Sequence, residues 1–391
     1  MSEKIKTRFL ELDALRGIAA FSVVLFHYTT HYSDLFKHSQ DLYFDFGSGR
    51  HGVELFFIIS GFVILMSLEN TKRGLDFIVG RLSRLYPAYW AAIIMTFLVV
   101  AFSKQLPTRE VNIFQALFNL TMLQDFFNIP RVDGVYWTLS IELSFYILMF
   151  TVYKLGQLKN ISLISLVWLS ITTFYAFKTY IPRSSLLTKL TSHINFFNHD
   201  DTPQLMLVNL VGKIPELGIN IQYIFAKIFI FNYAHLFILG MTLYLIKHSG
   251  LSFWRCIILL VCVLVQRIAY TQESSWNTTI FVAAFVVIFY LAIQGYLGFI
   301  KLKPLLFLGN ISYSLYLIHQ NIGYVIIKTL YSYKINPNIS ILVAIVCSLT
   351  LAILISKFIE YPAMNFIKNK YKKLILPKLL TGNGSWVMGH G

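Results

Sequence analysis

Cysteine and charge are both scarce in this sequence. Its 391 residues include three cysteines, which lie inside apolar stretches and have neither the spacing of metal ligands nor that of a disulfide framework, so we expect no metal. Charged residues make up 13% of the chain. A soluble chain of this length would form two or three domains with charged surfaces. The composition therefore excludes that class of protein.

Apolar residues dominate instead. They make up 56% of the chain, and its mean hydropathy is +0.63. Apolar runs of about 18 residues or more can each cross roughly 30 Å of hydrocarbon as a helix. Only helices and closed barrels satisfy their own backbone in lipid, and continuous rather than alternating runs favour helices. We predict an all-α, polytopic membrane protein with about ten transmembrane helices, at residues 10–30, 51–69, 86–103, 134–153, 161–178, 224–246, 253–270, 278–297, 306–328 and 339–360.

The charge pattern indicates how such a protein would be oriented. The formal net charge is +15, and the basic residues concentrate in short loops and tails. The positive-inside rule explains this better than binding of nucleic acid, which we do not expect as a partner. With an even number of spans, both termini are then cytoplasmic. Residues 111–124 are apolar but too few for a span, so we expect an interfacial or re-entrant helix there. Residues 72–85 and 113–124 are expected to lie along the membrane surface.

One domain accounts for almost the whole chain. We expect residues 1–365 to form it and residues 366–391 to be a basic cytoplasmic tail whose glycine-rich end resembles a tag remnant. Residues 1–8 favour an uncleaved start-anchor over a signal peptide. The loop at 179–223 is too short for a catalytic domain of its own. The absence of inverted repeats disfavours a secondary transporter.

The first predicted span carries two ionisable residues, Arg16 and His27. Ionisable groups inside a membrane span are costly and are functional candidates by default. Eleven residues at about 100° each return almost to the starting angle, so both side chains share one face, roughly 16 Å apart. That separation suits an extended donor such as coenzyme A, with its phosphates at Arg16 and its reactive end at His27. A snorkelling arginine and an interfacial histidine explain the pair equally well at this stage.

Charged residues also lie in and after the second span. Glu54 stands in an apolar run, and a carboxylate near a histidine can orient or charge that histidine. Arg81 and Arg84 are one helical turn apart on the predicted cytoplasmic side, where two planar guanidinium forks can grip one anion. Helix packing and ordinary membrane anchoring are the alternatives.

The fourth, ninth and tenth spans carry further polar residues. Glu142 lies about two turns inside the fourth span, behind two aromatic residues that suit either an aromatic belt or a sugar-stacking wall, Tyr136 and Trp137. The ninth span has a polar stripe at spacings of four and three residues, formed by Ser312, Tyr316 and His319. The tenth ends at Glu360-Tyr361-Pro362, which predicts a helix stop at the cytoplasmic surface.

Taken in order, these stretches resemble the acyltransferase-3 family of bacterial membrane acyltransferases. They run from residue 10 to residue 362, and Glu54 and Thr138 stand where the family more often has Asp and Ser. The matching stretches are Arg16 and His27 with ten residues between them, Gly52–Phe62, Arg81-x-x-Arg84 with Tyr86-Pro87, Trp137–Glu142, Ser312–His319 and Glu360-Tyr361-Pro362.

The resemblance implies a ten-helix enzyme that moves an acyl group, usually acetyl, from cytoplasmic acyl-coenzyme A to a carbohydrate hydroxyl. Acetyl-coenzyme A or another acyl-coenzyme A would be the co-substrate, and a cell-surface or exported glycan such as O-antigen, or a lipid-linked sugar, the acceptor. A bacterial inner-membrane location and contact with membrane lipids are implied too, and self-association is left open. Some members carry an extracytoplasmic hydrolase-like domain; without one, we expect this chain to finish the transfer itself or to pass the group to a separate protein.

The resemblance also suggests roles. We expect His27 to act as general base on the acceptor hydroxyl, or to become acylated, with Glu54 or Glu142 orienting it. The expected donor-binding residues are Arg16, Arg81, Arg84, Ser312, Tyr316 and His319, and the expected acceptor-binding residues are His51, Tyr136 and Trp137.

A transporter or flippase of a lipid-linked sugar, with intramembrane charges as its path, is the main alternative. A structural subunit of a polysaccharide assembly would leave the deep histidine and glutamate unexplained.

Overall fold

The computed structural model describes residues 9–180, 221–269 and 276–380, and within these ranges the chain is helical without a strand. Two π-helical turns, His27–His31 and Ser356–Glu360, interrupt the α-helices. The α-helices are α1 (Leu10–Phe26), α2 (Tyr32–Phe36), α3 (Gly52–Glu69), α4 (Gly74–Ser103), α5 (Ile113–Asn119), α6 (Trp137–Lys154), α7 (Ile161–Tyr180), α8 (Ile221–Ile228), α9 (Ala234–Ser249), α10 (Phe253–Ile268), α11 (Trp276–Gln294), α12 (Lys303–Ser332), α13 (Pro337–Ile355) and α14 (Tyr361–Leu380).

Several of these helices are long and apolar enough to cross a membrane. In the described ranges there are six such segments: Gly47–Glu69, Gly74–Ser103, Gly134–Lys154, Leu158–Lys178, Trp276–Gln294 and Pro337–Leu374. They confirm the prediction of an all-helical, multi-pass membrane protein. Helices also occupy the other predicted spans, but α1, α9, α10 and α12 are too short or too polar to count by the same measure. Ten spans and cytoplasmic termini stay predictions.

Two expected boundaries are wrong. The helix that holds the predicted span 86–103 begins earlier than expected, because α4 runs from Gly74 through Pro87 to Ser103. A membrane-surface position of residues 72–85 stays a prediction. A proline removes one helical hydrogen bond, but Leu85 and Ala88 on either side of it are buried, and this packing holds the helix together. The helix also does not stop at Pro362: the second π-helical turn leads straight from α13 into α14, whose second residue is Pro362.

The short helix predicted within 113–124 is α5. It begins at a capping box in which the Asn112 side chain accepts from the backbone N–H of Gln115. The expectations for residues 1–8, for most of the loop at 179–223 and for the end of the tail lie outside the described residues.

Helices α1 and α12 run side by side in the same direction and position the site. They touch at Gly17 and Gly309, and neither glycine has room for a Cβ. Small residues at a helix contact let the backbones approach closely, as is usual in membrane proteins. Further along, the Tyr28 hydroxyl donates to the carbonyl oxygen of His319 at 2.6 Å and lies 2.6 Å from Ser348 Oγ on α13. These contacts fix the register of the two helices.

Candidate active site

A cleft of about 810 Å³ lies between α1, α3, α4, α6 and α12. Its apolar wall comes mainly from α3, with Val53, Phe56, Phe57, Ile59, Val63 and Ile64. The polar residues that line it are Arg16, Ser60, Arg81, Arg84, Thr138, Glu142, Tyr146, Ser312, Tyr313 and Tyr316. The structure thus brings together all three expected donor-binding arginines with Ser312, Tyr316 and Glu142.

Positive charge dominates this cleft. The guanidinium carbon of Arg81 lies 5.5 Å from the centre of the Phe77 ring and 5.7 Å from that of Tyr146, which holds the charge over aromatic faces. In the described ranges, none of the three arginines makes an ion pair with a carboxylate. Among the described residues that line it, Glu142 is the one acidic residue. Such a cleft attracts an anion.

The carboxylate of Glu142 is held by two hydroxyl groups. Its Oε1 accepts from Ser60 Oγ at 3.1 Å and from Tyr146 Oη at 2.5 Å. Sequence analysis did not identify Tyr146 as a site residue, although it follows Glu142 by four residues and therefore lies on the same helix face. The structure places Glu142 beside the arginines, and in the described residues it makes no hydrogen bond to His27.

The three residues of the polar stripe on α12 lie in two places, the cleft and the contact with His27. Ser312 and Tyr316 line the cleft, and the Tyr316 hydroxyl is 3.0 Å from Thr138 Oγ1. His319 lies one turn beyond it, with its ring centre 5.7 Å from that of Tyr316. Although His319 was expected to bind the donor, its direct contact is with His27.

The two histidines form a buried pair. His319 Nε2 is 2.9 Å from His27 Nδ1, and their ring centres are 4.9 Å apart. His27 is 9% exposed and His319 is fully buried. Because 292 residues separate the partners in the chain, spacing along one helix could not have predicted the pair.

A third histidine, also missed in the sequence, stands next to the pair. The π-helical turn carries both His27 and His31, whose ring centres are 5.1 Å apart. His31 Nδ1 lies 2.5 Å from the Tyr324 hydroxyl. A π-helical turn inside an α-helix is frequent at functional sites, and it is the local feature that marks this end of α1.

The three expected acceptor-binding residues are packed against aromatic rings. His51 is 2% exposed and stacks on Phe281 with the ring centres 4.4 Å apart. Tyr136 is fully buried, and Trp137 packs against Tyr233 at 5.3 Å. Trp137 is only partly buried, and the acceptor role of all three residues stays a prediction.

Glu54 lies beside His51 and not beside His27. One of its carboxylate oxygens is 3.9 Å from His51 Nδ1. Among the described residues it makes no hydrogen bond to His27, so its orienting role also stays a prediction.

A polar latch joins two loops to α12 beyond the histidines. Asp133 accepts from the backbone N–H groups of Asn321 at 3.0 Å and Val135 at 3.2 Å. Arg109 donates to the Asn321 side-chain oxygen at 2.8 Å, and the Asn321 amide donates to the Val132 carbonyl oxygen at 2.9 Å. Burial raises the pKa of the Asp133 carboxyl to about 6.

Comparison with known proteins adds to this geometry. A family model described as an acyltransferase domain matches residues 9–357. The chain is 24% identical to the O-acetyltransferase OatA of Staphylococcus aureus (strain NCTC 8325 / PS 47) over an alignment 387 positions long, gaps included, which covers 90% of this chain and 56% of OatA. It is also 28% identical to nodulation protein 10 of Rhizobium leguminosarum bv. viciae over 123 residues, or 27% of this chain and 33% of that protein. The chain thus spans little more than half the length of OatA. No solved structure matches.

Proposed function

The chain belongs to the acyltransferase-3 family, as its sequence motifs predicted, and from this premise we propose that it moves an acyl group from cytoplasmic acyl-coenzyme A to a carbohydrate hydroxyl. Acetyl is the expected acyl group. One observation carries the proposal: a cleft with three arginines leads to within one helical turn of a buried histidine pair.

The donor fits the cleft by charge and by shape. Coenzyme A has phosphates at one end, and arginine binds phosphate through two parallel N–H groups. We assign Arg16, Arg81 and Arg84 to these phosphates. The pantetheine arm then follows the apolar wall from α3 towards Tyr316, and the thioester comes to lie near His27.

His27 then performs the proton transfers. Its Nε2 takes the proton of the acceptor hydroxyl as the hydroxyl oxygen bonds to the thioester carbonyl carbon. When the tetrahedral intermediate collapses, the carbon–sulfur bond breaks and His27 returns the proton to the sulfur. Products are the O-acyl sugar and free coenzyme A. Such general acid–base help contributes about 10²–10⁴-fold to a rate.

The acceptor class is a sugar of a cell-surface or exported glycan, such as O-antigen, or its lipid-linked precursor. The similarity to OatA, an O-acetyltransferase, supports an oxygen atom as the acceptor. The proposal places the protein in the bacterial inner membrane, where cytoplasmic donor and exported acceptor meet.

The test is binding and turnover of acetyl-coenzyme A by the purified protein in detergent. We expect saturable binding that is lost in a double variant, Arg81→Gln with Arg84→Gln, and release of the free thiol that rises when a glycan acceptor is added. Indifference of the wild-type protein to acetyl-coenzyme A would overturn the proposal and favour a flippase, which needs no thioester donor.

A further inference from the structure

His319 contacts His27, the proposed general base. His27 was expected to have a carboxylate partner, Glu54 or Glu142, and the structure gives it a second imidazole. An imidazole can be donor or acceptor at either nitrogen, so the carbonyl groups around the pair decide the assignment.

Carbonyl oxygens only accept hydrogen bonds, and three of them face these rings. His319 Nδ1 lies 2.8 Å from the Tyr316 carbonyl oxygen and 3.2 Å from that of Leu315. His27 Nδ1 lies 3.0 Å from the Val23 carbonyl oxygen. A proton on each Nδ1 places a donor opposite every carbonyl.

This assignment leaves a lone pair on Nε2 of each neutral ring. His319 Nε2, at 2.9 Å, then accepts from the Nδ1–H of His27, which it shares with the Val23 carbonyl. His27 Nε2 has no hydrogen-bond partner among the described residues, so it is the nitrogen available to a substrate.

We propose that His319 is the positioning residue of His27: its Nε2 accepts the His27 Nδ1–H, orients that ring and stabilises the imidazolium that forms during transfer. The role corresponds to the aspartate of a serine-protease triad, which orients a histidine and stabilises its charged form. A neutral partner does this without placing a second ionised group in the bundle, where an isolated charge is costly. The proposal rests on the proposed function, because it takes His27 as the base.

Hydrogen bonds within and around α12 hold the His319 ring and backbone in place for this role. Its ring is fixed by the two carbonyl contacts within its own helix, and its backbone carbonyl accepts the Tyr28 hydroxyl at 2.6 Å. An orienting residue has to be rigid to hold its neighbour within a narrow angle.

The activity test compares two substitutions of His319. His319→Gln keeps an acceptor at the place of Nε2, whereas His319→Leu keeps the volume and removes the acceptor. We expect His319→Leu to lower kcat by about 10²-fold with the donor KM within twofold of wild type, and His319→Gln to recover most of that loss. Equal kcat values for the two variants would overturn the proposal. They would mean that the hydrogen-bond acceptor, which glutamine keeps and leucine lacks, does not matter for catalysis.

His235→Leu is the matched control. His235 is another fully buried histidine, paired with Gln266 at 2.6 Å on the neighbouring α10 and placed in no part of the site. It should lower the midpoint of thermal unfolding but leave kcat unchanged. A fall in kcat as large as that of His319→Leu would show that loss of any buried histidine suffices, and would count against the proposal.

A second measurement does not depend on activity. Protein labelled with ¹⁵N in histidine alone should show a scalar coupling across one N–H···N hydrogen bond, between a protonated Nδ1 and a bare Nε2. The coupling should vanish in both His27→Gln and His319→Gln. A coupling that survives either change would overturn the pairing. If the coupling is found but no acyl transfer occurs, the proposed function fails and the pairing stands. If acyl transfer occurs without the coupling, the pairing fails and the proposed function stands.

Discussion

Gly17 on α1 and Gly309 on α12 meet backbone to backbone. A Cβ on Gly17 would collide with the backbone of Leu305 and of Gly309, and one on Gly309 would collide with the carbonyl of Asp13. Because Arg16 and Ser312 flank this contact and both line the cleft, the distance between the two helices helps to set the width of the cleft, which is the proposed donor site.

Gly309→Val should therefore weaken both the fold and the donor site. The added side chain overpacks a closed contact, which typically costs about 1–3 kcal/mol. It also pushes Arg16 away from α12. We expect a lower midpoint of thermal unfolding in detergent and a higher KM for acyl-coenzyme A.

Gly80→Ala is the control for that change. Gly80 lies on α4, and a Cβ there meets nothing within 4 Å. Alanine in a helix interior is favoured over glycine by roughly 0.5–1 kcal/mol, so this variant should be as stable as wild type or more so. If Gly309→Val behaved like Gly80→Ala, the helices would not be in contact at that point.

Arg84→Gln should act on donor binding. The substitution removes a positively charged hydrogen-bonding group from a cleft in which Glu142 is the one acidic residue among the described residues of the lining. A hydrogen bond to a charged group contributes about 1.5–3 kcal/mol. The KM for acyl-coenzyme A should rise about tenfold or more, with a smaller change in kcat. Steady-state kinetics over a range of donor concentrations measure both.

Arg73→Gln provides the comparison, since Arg73 is exposed and pairs with Asp76 at 3.3 Å at the start of the same helix. Its kinetics should match wild type. An unchanged KM in Arg84→Gln would remove this arginine from the phosphate site.

His27→Gln should abolish transfer without abolishing donor binding. Glutamine cannot take up a proton, so the rate should fall by about 10²–10⁴-fold. Binding of acetyl-coenzyme A should stay near the wild-type level, because the phosphates bind at the arginines. The exposed His248→Gln should leave both properties unchanged. Near-normal turnover in His27→Gln would rule out the base role.

The sequence predicted which residues line the cleft better than it predicted which residues contact each other across helices. Spacing along a single helix identified the pair Arg81 and Arg84, and the motif order identified Arg16, Ser312 and Tyr316 for the same site; all five line one cleft. The helical repeat of 3.6 residues explains why residues of one helix, such as Arg81 and Arg84, share the cleft. Donor binding by the five residues stays a prediction.

Contacts between helices could not be predicted in that way. The partner of His27 is 292 residues away, and the sequence offers no rule for which of many apolar helices is adjacent to α1. For the same reason, the sequence did not predict that Tyr136 packs against Tyr89 and Trp137 against Tyr233. In a membrane protein almost every face is apolar, so hydrophobic patterning does not separate a buried face from an open one.

The Asp133 latch should make stability depend on pH. Burial raises the pKa of Asp133 from 3.8 to about 6, so the folded protein binds this proton more tightly than the unfolded chain does. The contribution to stability is therefore fully present below about pH 3.8 and is lost as the pH rises through about 6. A shift of this size corresponds to about 3 kcal/mol.

Asp133→Asn tests this dependence, because asparagine does not titrate and keeps one oxygen acceptor for the backbone N–H groups of Asn321 and Val135. The midpoint of thermal unfolding should be compared between pH 4 and pH 7.5 for the wild type, for this variant and for the exposed Asp34→Asn. Other groups titrate equally in all three proteins, so the difference between curves isolates the latch. We expect the wild type to lose stability relative to Asp133→Asn as the pH rises, and to run parallel to Asp34→Asn. Curves for the wild type and Asp133→Asn that stay parallel would mean that this carboxyl is not held as a buried acid.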